Sequence, residues 1–133
     1  MSPRGLAVAV LLVLAAACSP ASATPEARTI EIEIHYSRFD PGTVDVRRGE
    51  TVRFVIANAD PIDHEFIVGD EAVQNAHELG TESYHPPRPG EVTIPAGETV
   101  ETTYTFDGGN LIIGCHLPGH YDYGMRGLVV VGL

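Results

Sequence analysis

Segments 29–35, 51–58 and 99–106 of this chain switch between apolar and polar residues at nearly every step, a pattern satisfied by an extended strand with one buried face. In the first, Ile30, Ile32 and Ile34 alternate with Glu31, Glu33 and His35, so His35 should point outward. The second directs Val52, Phe54 and Ile56 inward and Arg53 outward, and the third sets Val100, Thr102, Tyr104 and Phe106 on one face. Turn signals fall between them at Pro41-Gly42, Arg48-Gly49-Glu50, Pro95-Ala96-Gly97 and Asp107-Gly108-Gly109, the spacing expected of an antiparallel sandwich. Shorter strands are expected at 44–46, 65–68 and 92–94, and apolar strands at 111–115 and 127–131. The exception lies within the long segment 69–90, where Asp70 could cap and Gly80 stop a short helix carrying Val73, Ala76 and Leu79 on one side.

The 133 residues hold one domain of roughly 100 residues, expected over 28–133, behind a leader at 1–23. The leader has one arginine, Arg4, and an apolar run over 6–17 that is too short for a bilayer and matches the core of an export signal. Ala21-Ser22-Ala23 fits a signal-peptidase site. Leu14-Ala15-Ala16-Ala17-Cys18 resembles a lipobox with alanine where leucine is more usual, and this lipoprotein reading is favoured. On it, Cys18 carries a lipid that anchors the protein at the membrane surface, and 20–27, rich in Pro, Ala and Ser, is a tether. With 18 Asp and Glu, 8 Arg and no Lys, the chain lacks the clustered basic residues that nucleic acid requires.

The run 114–125, Gly-Cys-His-Leu-Pro-Gly-His-Tyr-Asp-Tyr-Gly-Met, crowds a thiolate, imidazoles and a thioether between two apolar strands. A soft thiolate with imidazoles and a weak thioether selects copper over harder cations. His64, at a strand-to-strand corner in Asp60-Pro61-Ile62-Asp63-His64-Glu65, is the best candidate for a donor from elsewhere in the fold. Cys18 and Cys115 are the two cysteines, so once Cys18 is lipidated or removed Cys115 has no disulfide partner, and metal ligation accounts for a lone exported thiol. His116 should face away from Cys115 by strand alternation and not share the metal. His77 and His85, with Glu78 or Glu82, are candidates for a second metal, against the simpler reading of surface histidines.

The spacing Cys115, His120, Met125, joined to His64 within this β pattern, closely resembles the cupredoxins, the blue or type 1 copper proteins of plastocyanin and azurin type. The resemblance covers the whole exported domain and implies a Greek-key β-sandwich, with the insertion as a short helix or long loop. It implies one type 1 copper held by His64 and His120 through ring nitrogens, by the Cys115 thiolate, and by Met125 as the long axial ligand. Gly119 and Gly124 would let the loop bend around the ion, Pro118 would stiffen it, and His120 beside Leu117, Pro118 and Tyr121 would be the electron port. The loop also resembles the type 1 loop of multicopper oxidases, in which histidines on both sides of the cysteine bind a second copper cluster. Here Gly114 replaces one of them. Glu65 stands where many family members carry asparagine, which leaves the loop-tying hydrogen bond open. The expected function is single-electron transport between redox partner proteins outside the cytoplasmic membrane, by a monomer that is not an enzyme. The alternative is a copper-binding protein for copper resistance or delivery.

Overall fold

The computed structural model describes residues 26–132; the export segment, Cys18 and most of the tether lie outside them. The strands are β1 (Arg28–Ile34), β2 (Phe39–Asp40), β3 (Thr43–Arg47), β4 (Glu50–Asn58), β5 (His64–Gly69), β6 (Glu91–Ile94), β7 (Thr99–Phe106), β8 (Leu111–Gly114) and β9 (Arg126–Gly132), with one helix, α1 (Glu71–Glu78), after β5. Two sheets form, ordered β2-β1-β4-β7 and β3-β9-β8-β5-β6. The alternation read from the sequence is the alternation buried: Ile32, Ile34, Val52, Phe54, Ile56 and Phe106 face inward from one sheet, and Val44, Val46, Phe66, Val68, Ile113 and Val129 from the other. His35 is exposed, as its alternation requires.

The sandwich is not purely antiparallel. β1 pairs in parallel with β4, and β3 in parallel with β9, because the chain crosses from one sheet to the other between these strands instead of returning through a hairpin. β2 is too short to register in an alternation pattern. In the core, Phe66 packs edge-on to Phe39 at 5.9 Å and tilted on Phe54 at 5.1 Å between ring centroids. Phe66→Ala is expected to destabilise the metal-free protein by about 3–5 kcal/mol through lost burial and a cavity that neighbouring strands cannot close, read as a lower midpoint in urea unfolding at unchanged slope.

Asp70 caps α1, its Oδ1 accepting from Val73 N at 3.0 Å. Of the stripe on one side of the helix, Val73 and Ala76 are half-buried and Leu79 is 75% exposed, whereas Gln74 is fully buried. Gln74 Nε2 donates at 3.0 Å to both Ile67 O and Ile112 O, so a polar side chain stitches the helix to β5 and β8. An amide supplies what those two carbonyls need and an aliphatic group does not.

Candidate metal centre

β8 ends at Gly114, and its direction delivers Cys115 into the end of the core, where it is fully buried. The chain then turns back through a loop closed by backbone hydrogen bonds. His120 N donates to Leu117 O at 2.9 Å, Met125 N to His120 O at 2.9 Å, and Cys115 N to Met125 O at 3.2 Å. Gly119 and Gly124 have φ of 82° and 93°, the left-handed region that glycine enters without steric cost. These contacts bring His120 back over Cys115 and set Met125, also fully buried, beside it in the chain path.

The remaining donor comes from the corner before β5. Asn58, itself buried, pins that corner by donating from Nδ2 to Ile62 O, Ile94 O and Pro95 O at 2.8, 3.1 and 3.1 Å. His64 follows, fully buried, with Nδ1 lying 3.9 Å from Cys115 Sγ, while His120 Nδ1 lies 3.4 Å from the same sulfur. Donors sharing one first-row ion, with nitrogen and sulfur bonds of about 2.0 and 2.3 Å, would lie about 3.5–3.7 Å apart. The observed separations bracket that distance, so the three side chains fit a single ion without rearrangement. Burial pushes the Cys115 thiol up, opposed by the Glu65 N–H that points at its sulfur from 3.3 Å and by the Leu117 N–H. Burial, together with nearby His64, lowers the pKa of His120 and favours the neutral imidazole that a metal needs.

Behind His64 stands a residue that the motif did not point to. Asp60 Oδ2 lies 2.9 Å from His64 Nε2, orienting the ring so that Nδ1 faces the sulfur, as carboxylates do for metal-binding histidines. The carboxylate is held in turn by Tyr36 N and Ser37 N, each donating at 2.8 Å from residues with φ of 52° and 53°. Burial alone would raise the Asp60 pKa; the Ser37 and Tyr36 N–H groups, with His64, outweigh it and hold the carboxyl below its usual range. The available signal was an acid four residues ahead of a histidine within one corner.

Glu65 resolves the hydrogen bond left open by the missing asparagine: its Oε2 accepts from His116 N at 3.0 Å, so a carboxylate ties the two loops. His116 points away from the sulfur, as strand alternation requires. Its Nε2 lies 2.7 Å from Gln74 Oε1 and its Nδ1 2.7 Å from Glu78 Oε2, and its ring stacks on Tyr121 at 4.5 Å. Glu78 therefore serves His116 and does not join His77 and His85.

A family model described as a cupredoxin-like domain matches residues 7–87, a span that includes His64 and ends before the Cys115 loop. The copper-resistant cuproprotein CopI of Rubrivivax gelatinosus is 40% identical over 117 residues, covering 84% of this chain and 71% of that protein. The chain belongs to the cupredoxin family. CopI of Pseudomonas aeruginosa is 30% identical to this cupredoxin over 146 residues, covering 84% of this chain and 80% of that one. Among solved structures, auracyanin A, a blue copper protein from Chloroflexus aurantiacus, has a TM-score of 0.62 at 27% identity, over 80% of this chain and 100% of its own. Copper is the cofactor that this cupredoxin fold and its nitrogen and sulfur donors accommodate.

Proposed function

We propose that this cupredoxin binds copper for copper resistance, holding one type 1 ion through His64, Cys115, His120 and Met125. The observation that carries the reading is the buried cluster of two imidazoles and one thiol, in a chain 40% identical to a cuproprotein named for copper resistance. Copper bound there would supply a one-electron couple in a site soft enough to keep Cu(I). The residues do the rest. Cys115 gives up its proton as it binds, Asp60 fixes the His64 ring, and the hydrogen-bonded loop sets the donor positions in advance, so little ordering opposes binding. The leader read in the sequence supports a site of action outside the cytoplasmic membrane, with Cys18 as a lipid anchor.

A second reading, electron carriage between redox partner proteins, has its own support. His120 is only half-buried, with half-buried Leu117 and exposed Pro118 beside it, which offers a small surface through which a partner could reach the site. Tyr121 departs from that port and stacks on His116, with the Arg126 guanidinium 4.8 Å from its ring centroid. On either reading the protein is a binding module and not an enzyme.

Expression of the full chain in a copper-sensitive bacterium should raise the copper concentration that permits growth, and Cys115→Ser should abolish the gain. Unchanged growth in cells that accumulate the copper-loaded protein would remove the resistance reading and favour the electron carrier.

A further inference from the structure

The segment between α1 and β6 folds over the outer face of β5 and β6 and leaves a cleft of about 410 Å³. Four side chains, His77, Glu82, His85 and Glu91, direct one donor atom each to a common point in it, all within 4.8 Å of one another. His77 Nε2 is 2.7 Å from Glu82 Oε2 and 3.3 Å from Glu91 Oε2, and His85 Nε2 is 3.5 Å from Glu82 Oε1 and 3.2 Å from Glu91 Oε2. We propose that this cluster is a second metal site, distinct from the Cys115 centre, that binds one divalent borderline ion, Zn(II) or Cu(II), through two imidazoles and two carboxylates.

An ion-pair network of the same residues is the competing account, and the hydrogen bonding speaks against it. Glu91 is only 9% exposed, yet its Oε2 has no hydrogen-bond partner, and neither has His77 Nε2 despite the two carboxylates beside it. Oxygens sit close to the ring nitrogen without lying along its N–H direction. Buried polar atoms left this way are costly unless something else binds them. A cation at the point where their lone pairs converge satisfies both. Tetrahedral donors at about 2.0–2.1 Å from one ion lie about 3.3 Å apart, close to the 3.3 and 3.2 Å that separate Glu91 Oε2 from the two histidine nitrogens.

The surroundings are those of prepared ligands. His85 Nδ1 lies 2.9 Å from Pro86 O, so the ring can donate there and present Nε2 unprotonated to the cleft. Arg88 Nη2 donates to Glu82 Oε1 and, at 2.8 Å, to Glu91 Oε1, which leaves Oε2 of each carboxylate facing inward. Two carboxylates and one guanidinium leave one negative charge for a divalent ion to meet. Nitrogen and carboxylate donors with no thiolate suit Zn(II) and Cu(II), and the second binds more tightly in such sites.

The test uses the full chain with its type 1 site already filled by one equivalent of copper, titrated calorimetrically with Zn(II) and, separately, with Cu(II). One further equivalent is expected in each case. The added Cu(II) should contribute only weak visible absorption, because no thiolate binds it. Glu82→Gln and His85→Ala, both near the surface, should weaken the added ion by more than about tenfold and leave the intense band intact. Cys115→Ser should keep the Zn(II) equivalent. The absence of a second equivalent, its indifference to both cleft variants, or its loss in Cys115→Ser would each overturn the proposal.

Discussion

Cys115→Ser is expected to remove the intense visible absorption of the Cu(II)-loaded protein and to weaken copper binding by more than about tenfold. The sulfur is the thiol that faces the two imidazoles. A serine hydroxyl at this position is hard, stays protonated at neutral pH, and offers no comparable charge-transfer transition. The same burial that makes the site dry raises the thiol pKa, so copper uptake by the native protein should release a proton that the serine variant does not release. Absorption and proton release, followed together during titration with Cu(II), check both effects. A variant that keeps its colour would show that the thiolate is not a ligand.

The second large effect is expected one step behind the ligands. Asp60→Ala should lower copper affinity about 10–100-fold, because His64 loses the carboxylate that sets its ring orientation. It should also cost the metal-free fold about 1–3 kcal/mol, since the Tyr36 and Ser37 N–H groups lose a charged acceptor. The pH dependence follows from the direction of the shift. The Asp60 pKa is lower folded than unfolded, so its stabilisation is fully present above the ordinary carboxylate range of about 3.9 and is lost as pH falls below it through the folded value. Unfolding of the metal-free protein between neutral pH and pH about 3 should therefore show an acid-side loss that Asp60→Asn reduces. Equal acid sensitivity of the two proteins would place the effect on other carboxylates.

Why some of this was legible in the sequence and some was not has a physical basis. Strand positions could be read because burial of one face writes itself every second residue, as in Ile30, Ile32 and Ile34. Parallel pairing of β1 with β4 and β3 with β9 could not, since no local pattern records which distant strand lies alongside. The candidate donors in the loop were legible because Cys115, His120 and Met125 lie within one short stretch of chain. Glu91 was not: it starts a strand far in sequence from His77, and its role appears only once β6 lies beside β5. Gln74 misled in the opposite sense. A buried amide that serves two strand carbonyls lies outside the stripe of Val73, Ala76 and Leu79, so apolar spacing does not reveal that Gln74 is the side chain the helix buries.

Gly114 limits what can stand beside Cys115. A β-carbon there would stand 2.2 Å from Gln74 Oε1 and 2.8 Å from His116 Nε2, so the space in which the oxidase-like loop would place a histidine is already filled by the partnership of helix and imidazole. Acquiring that histidine would first require giving up the contact between α1 and His116, with its links to both strands. A side chain at position 114 and the contact of α1 with His116 are thus competing occupants of the same ground.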